Sequence, residues 1–501
     1  MARVAWKGST HKPFLVLALL LLIANHTQAQ SQALIDKSQR GKELMAEQKF
    51  EEAVRIYREL VQAVPDNPGL LLNLGMALHL AGHSREAIAP LAHAIKLDPD
   101  ILPAWLFLGA SYLSTGDPER SLQPLEKYVR LQPDDPGGHQ TLGDALLAAN
   151  KFRDALSEYK KLGELEANNL HAWYGLNRSY AALADAAFQA VEKDAPQSAW
   201  WFALVADERV RRRQFRSAFF FYKKAEAMQP DLPGLHASIA HVYEETGHPD
   251  WAATERQKDA SGNCTASAQA CDFLAARFED VIHRSGTTAE ASYWQSRAFA
   301  RLAQDAFEHL EKIPESPEIH ELRAEQLRAR RQNLESAKEW RKALTYAPND
   351  ERLREELLSS LYRARDFPAA VKLADELLRE NPKSPELNLM KGDILLSSQE
   401  TEKAIPYRET ALKLKPNLLG AQHALGRAYM QVGRAAAAIP HLQAALPIDE
   451  DGSLRYQLAR AFQATGQAEL AKKTLEDSAQ RQKADREEKR KLEQEMKITP
   501  P

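Results

Sequence analysis

Small and apolar residues recur along this chain at a fixed interval. Gly41, Gly75, Gly109 and Gly143 lie 34 residues apart, as do Pro65, Pro99 and Pro133, and Pro348, Pro382 and Pro416 repeat the interval far downstream. Between these markers the large residues fall at helical spacing. A fixed period of this length predicts stacked two-helix units rather than a single globular core. The composition agrees: glycine is scarce, and alanine, leucine, glutamate and lysine, all good helix formers, are abundant.

The third unit is the clearest. Trp105-x2-Leu108-Gly109-x2-Tyr112 is followed by Ser121, Leu125, Tyr128 and Pro133. Each column has a packing reason. A glycine or alanine in the first helix lets the second approach closely. The tyrosines fill the space between hairpins, and the closing proline follows a helix end that it cannot continue. This pattern resembles the tetratricopeptide repeat family, W-x2-L-G-x2-Y…A…F…P. Other units follow it, among them Gly41, Ala53, Tyr57 and Pro65; Leu142-Gly143, Ala155 and Tyr159; Gly392, Ala404 and Pro416; and Leu425-Gly426, Tyr429 and Ala438. About twelve units, some degenerate, run from about residue 34 to 478. The resemblance implies an all-α fold, an α-solenoid superhelix of stacked helix-turn-helix hairpins.

The register breaks twice. Residues 170–198 read as a longer helical segment, and a cousin recurs at 292–314. Arg178, Leu183, Ala184, Ala187 and Phe188 match Arg297, Leu302, Ala303, Ala306 and Phe307 at an offset of 119, so a block of that size is duplicated. The expected organisation is a signal segment at 1–29, a repeat segment at 30–258, a cysteine-containing insert or hinge at 259–291, a second repeat segment at 292–478, and a charged capping helix and tail at 479–501. An open last repeat needs such a polar cover, and a tail that binds a partner is the alternative. The final residues, Ile498 to Pro501, are expected to lack fixed structure.

The first segment points to export. Arg3, Lys7 and Lys12 precede the apolar run Phe14 to Ala24, which is shorter than the ~20 residues a bilayer span needs. Thr27-Gln28-Ala29 supplies a small-residue cleavage site. The expected location is periplasmic or secreted, without stable membrane insertion after cleavage; an uncleaved N-terminal anchor is the alternative. An oxidising compartment favours a disulfide between Cys264 and Cys271, the chain's two cysteines. An unpaired structural role and a reactive thiol stay open.

Chemistry is sparse. The chain has no HExxH, no phosphate-binding GxxxxGK[ST] and no GxSxG elbow, and His79 and His83 straddle a turn in a poor arrangement for a metal. No enzyme, cofactor or metal is expected. The open face of the first helices reads Leu72, Met76, Leu80, then Leu106 and Leu113, Leu147, and Tyr174 and Arg178, a candidate groove for a partner peptide or helix. Packing against neighbouring repeats is the alternative. A basic cluster, Arg209, Arg211, Arg212, Arg213 and Arg216, is echoed by Arg328, Arg330 and Arg331. It suits carboxylates or phosphates, or else forms salt-bridged solvent faces. The Lys and Asn pattern with which some tetratricopeptide domains hold a terminal carboxylate is not evident. Net charge of −3 argues against nucleic acid. The expected function is a protein-protein interaction scaffold outside the cytoplasm. The alternative is an accessory role in polysaccharide secretion, for which Trp173, Tyr174, Trp200 and Trp201 are the aromatic candidates.

Overall fold

The computed structural model describes residues 32–258, 267–284 and 286–501. Among the described residues no strand occurs, and the helices form repeating antiparallel pairs, an α-solenoid. The export segment and Cys264 lie outside the described residues.

Local sequence explains where helices start and stop. Asn67, Asp117, Asp135, Ser316 and Ser384 each accept the backbone N–H three residues on, and Pro68, Pro118, Pro136, Pro317 and Pro385 take the next position. There the missing N–H costs nothing. Each hairpin turn needs one left-handed residue. Gly82, Gly116, Gly247, Gly433 and Gly466 supply it in some units. Where glycine is missing, Gln48, Asn150, Arg331, Arg365 and Gln399 adopt it, as does Arg213 of the basic cluster.

Contacts divide the chain inside the helix Leu170–Asp194, with one unit ending at Leu183 and the next starting at Ala184. The first unit pairs residues 32–46 with Phe50–Ala63, Pro68–Leu80 with Ser84–Leu97, Leu102–Ser114 with Pro118–Leu131, and Pro136–Ala148 with Phe152–Leu165. Its core runs through Leu44, Tyr57, Leu60, Leu71, Leu91 and Leu108. Helix contact is close because one side is glycine: a Cβ on Gly75 would lie 2.4 Å from Leu91 Cγ.

The second unit opens with the pairs Ala199–Arg211 and Phe215–Met228, then Leu235–Glu245 and Pro249–Lys258. The stretch that the sequence marks as an insert holds a shortened pair, Ala268–Leu274 and Phe278–His283, and Cys271 within it is disulfide-bonded. The long helix Ala289–Leu310 follows, so both register breaks are long helices, of 25 and 22 residues. Five further pairs run from Pro317 to Glu495. Their cores centre on Trp340 and Leu353, and on Leu425, Leu442 and Phe462.

One polar device recurs within hairpins. A histidine on the first helix meets a glutamate 19 residues later on the second: Nδ1 lies 2.6 Å from the carboxylate in His139–Glu158 and His236–Glu255, and 2.7 Å in His320–Glu339. Lys258 and Lys342 donate to the same carboxylates at 3.0 and 2.8 Å. Burial would raise the Glu339 carboxyl, but Lys342 and His320 hold it below its ordinary value.

Glu355 shows the opposite balance. Partial burial first, then the charges of Glu351, Glu386 and Glu356, raise its carboxyl above the ordinary value of 4.5. A carboxyl raised in the folded state favours folding while protonated, and that benefit is lost as pH rises through the folded value. Glu355→Gln should therefore stabilise the protein at pH 7 by a few tenths of a kcal/mol, about the size of a like-charge helix pair. The gain should vanish below the ordinary carboxyl value. Thermal melts at pH 7 and pH 4 check both halves.

Candidate functional site: a charged cleft in the second unit

The second unit contains a half-open cleft of about 760 Å³, within the range of small-ligand and peptide sites. Its walls come from six helices. Asp207, Glu208 and Arg211 project from Ala199–Arg211, and Tyr222 from the partner helix Phe215–Met228. Ser238 and His241 come from Leu235–Glu245, and Phe273 from the shortened pair. Arg297, Arg301 and Gln304 line the long helix Ala289–Leu310 at intervals of three and four, one face of a helix. The end of Leu170–Asp194 adds Asp185 and Phe188.

Arg297 organises the wall. Its Nε stands 3.0 Å from Asp207 Oδ2, while its terminal nitrogens donate to Tyr293 Oη at 2.9 Å and Ser238 Oγ at 3.2 Å. Tyr222 Oη donates to the other Asp207 oxygen at 2.6 Å. The guanidinium also lies 4.9 Å from the centre of the Phe273 ring. Burial pushes the Tyr222 hydroxyl well up, and the negative Asp207 pushes it further. Burial raises Tyr293 to about 12. Both hydroxyls therefore stay protonated, Tyr222 donating to Asp207 and Tyr293 accepting from Arg297, and Arg297 stays charged.

At the mouth the charges are mixed. Burial raises the Asp185 carboxyl, with Arg211 opposing. Burial would do the same to Glu208, but Arg211 and Arg212 bring it below its ordinary value. The hydroxyls of the cleft have structural partners: Ser238 Oγ donates to Gly234 O at 3.0 Å and Ser296 Oγ to Ala184 O at 2.9 Å. What the cleft offers is a set of fixed donors and acceptors over an aromatic side wall.

The sequence candidates fall in several places. In the first unit Leu72, Met76, Leu106, Leu113, Leu147, Tyr174 and Arg178 are half-buried, and Leu80 is 42% exposed. Leu72 packs on the core. Arg178 Nε donates to Tyr174 Oη at 3.1 Å. This matches the pairing of Arg297 with Tyr293, so the duplicated block repeats a tyrosine-arginine pair four residues apart. In the basic cluster, Arg211 and Arg212 share Glu208, Arg209 donates to Gln214 at 3.0 Å, Arg213 reaches Glu245 at 3.3 Å, and Arg216 is exposed. Arg211 and Arg212 reach the cleft. Sequence reasoning missed Asp207 and Tyr222 as a pair. The signal was present: an acid directly after the small residue of the first helix, with a large polar residue 15 positions on, recurs as Asp144–Tyr159 and Asp393–Arg408.

Ligand atoms of Glu226, His236 and Glu255 lie within 4.8 Å of one another. The same histidine-glutamate pair holds two other hairpins, and Lys223 and Lys258 already neutralise the two carboxylates. The cluster is a hairpin latch with an added ion pair, and no ion is assigned to it.

Models of the tetratricopeptide repeat match residues 44–106, and again 81–136, 321–385, 355–418 and 389–453. The hairpins within these spans match the tetratricopeptide repeat. Tetratricopeptide proteins are generally non-catalytic scaffolds and commonly bind other proteins. A curated relative, DnaJ homolog subfamily C member 3 of Gallus gallus, is 31% identical over 114 residues, which is 23% of this chain and 22% of the relative. The chain thus spans about a fifth of that relative's length. Among solved structures, a tetratricopeptide repeat protein from Parabacteroides merdae is 13% identical over 66% of this chain and 99% of its own, with a TM-score of 0.33. The APC/C hetero-tetramer Cut9-Hcn1 is 13% identical over 88% and 92%, with a TM-score of 0.31. YrrB, a protein described as having an unusual peptide-binding site, is 17% identical over 41% and 88%, with a TM-score of 0.27. Among the described residues no helix is long and apolar enough to cross a membrane.

Proposed function

We propose that this chain is a non-catalytic scaffold that acts outside the cytoplasm and holds a peptide or helix of another protein on the first-helix side of its repeats. The observation that carries the proposal is the cleft: its polar groups are fixed by one another, its volume suits a short segment, and Phe273 gives it an apolar side. Within the first unit, the half-buried row from Leu72 to Arg178 offers a separate candidate surface on first helices. Support for export comes from the positive and apolar character of residues 1–29 and from the disulfide at Cys271.

The second reading, a part in polysaccharide secretion, requires open aromatic faces. The Trp173 indole N–H donates to Ala167 O at 3.0 Å, and Trp201 packs edge-on against Phe202 and Phe221 at 5.2 and 6.5 Å. These half-buried rings favour the protein reading.

A photocrosslinking amino acid at Gln304, in the cleft, compared with one at Thr410, on an exposed second helix, tests the proposal in cells. A discrete protein adduct is expected at Gln304 alone. Equal adducts at both positions, or none at Gln304, would defeat it. An alkaline phosphatase reporter carried by the chain should be active; an inactive reporter on a stable protein would defeat the export half.

A further inference from the structure

The last helix, Ala468–Glu495, is 28 residues long, or about 42 Å at 1.5 Å per residue. Its first part covers the final repeat, where Ser478 is buried and donates to Gly452 O at 2.7 Å. Beyond Ser478 it is almost wholly exposed and rich in charge, and a helix of that kind has no packing reason of its own to extend so far. Its end supplies one. The Tyr243 hydroxyl donates to the backbone carbonyl of Thr499 at 2.7 Å, across 256 residues of sequence. Tyr243 is fully buried, and Ile498, beside Thr499, is half-buried. Within 498–501, expected from sequence to lack fixed structure, the Thr499 carbonyl is thus tied to Tyr243 and Ile498 is half-buried, while Thr499, Pro500 and Pro501 are exposed.

The receiving surface is built from aromatic side chains. Tyr243 meets Trp251 edge-on at 5.6 Å and Phe219 at 5.5 Å, and His248 stacks on Trp251 at 4.0 Å. Burial, with the nearby Glu255 and Glu226, pushes the Tyr243 hydroxyl up to about 12, so it remains a donor at every physiological pH. The segment that meets it, Ile498-Thr499-Pro500-Pro501, carries two prolines after the bonded carbonyl. Prolines hold a chain extended and lack N–H groups, so such a segment presents carbonyls in search of donors. None of the residues lining the cleft takes part.

We propose that Tyr243, with His248 and Trp251 beside it, forms a second docking site that takes a backbone carbonyl of an extended segment, and that residues 498–501 of the same chain occupy it in cis. This goes beyond the scaffold reading and does not depend on the cleft. A tethered segment acts at an effective concentration of roughly millimolar, so a free peptide of ~100 μM affinity would bind the intact chain about tenfold more weakly than a chain with the site open. An external segment of the same chemistry would have to displace the tail.

The test uses a fluorescent synthetic peptide of residues 494–501, titrated by anisotropy against three proteins: the full chain, the chain ended after Lys497, and that truncation carrying Tyr243→Phe. The truncated chain should bind about tenfold more tightly than the full chain. Tyr243→Phe, which keeps the ring, should weaken that binding several-fold. Equal binding to full and truncated chains, or none to the truncated chain, would overturn the cis occupancy. Binding indifferent to Tyr243→Phe would overturn the site. A concentration-dependent dimer of the full chain, lost on truncation, would show that the tail serves a second copy instead.

Discussion

Arg297→Met is expected to cost about 3 kcal/mol, because it strands Asp207 among buried groups, and breaking one side of a buried pair costs ~3–5 kcal/mol. The lower end applies here, since the side chains of Arg297 and Asp207 keep 14% and 18% of their exposure. The loss is one of organisation as well as charge. Arg297 joins Asp207 of one hairpin, Ser238 of the next, and Tyr293 of its own helix, so its removal loosens three walls of the cleft at once. Arg297→Lys should rescue little, because a single ammonium cannot reproduce a planar fork with donors to three separate partners. Replacing both charges, Arg297→Met with Asp207→Leu, should recover much of the loss, since no buried charge then lacks a partner. Urea titration followed by tryptophan fluorescence checks this, with hydrogen exchange to locate the effect, because stacked repeats need not unfold as one cooperative block. A single variant within about 0.5 kcal/mol of the parent, as an ordinary surface substitution would be, would remove Arg297 from the centre of the site.

Much of the fold was legible because a solenoid repeats its contacts at a fixed sequence distance. Gly75 and Leu91, like Gly109 and Leu125, meet across 16 residues in every case, so the small and large columns that a reader sees in the sequence are the contacts themselves. The long helices were legible for the converse reason: they break the register at 170 and again one duplicated block later. The histidine-glutamate pairs keep a constant internal spacing but recur at unequal intervals along the chain. A histidine and a glutamate 19 residues apart read as surface until the second helix is seen to fold back over the first.

The cleft was less legible. Arg297 stood out only as the duplicate of Arg178, and its acid lies 90 residues upstream in another hairpin. No local pattern encodes that distance, because an irregular insert and a long helix intervene. The tail was invisible for a related reason. Nothing in Ile498-Thr499-Pro500-Pro501 identifies Tyr243, and composition alone points to disorder. Pairings across such distances are set by the path of the solenoid rather than by any segment.

Gly175→Val is expected to destabilise the first unit by about 3 kcal/mol, at the upper end of the overpacking range. A Cβ at Gly175 would lie 2.3 Å from Cδ1 of Tyr159, and one at Gly143 would lie 2.9 Å from Cε1 of the same ring. The ring is therefore held in a slot between two helix backbones. It cannot swing aside cheaply, because its hydroxyl is tied to Asp144 at 2.6 Å. At the matching position of the duplicated block the residue is Trp294, fully buried against Phe273 at 5.3 Å. One column thus holds the smallest residue in one copy and the largest in the other. The cause is the neighbour: in the first copy the full-length helix Phe152–Leu165 brings Tyr159 into the space, whereas in the second the preceding helix is only Phe278–His283. Gly175→Ala should cost less than valine, since it adds one methyl instead of three. Tyr159→Ala in the Gly175→Val background should add far less than its own cost, because the ring it removes is the one the valine displaces. Full additivity of the two in a double-mutant cycle would mean that Gly175 is glycine for some reason other than Tyr159.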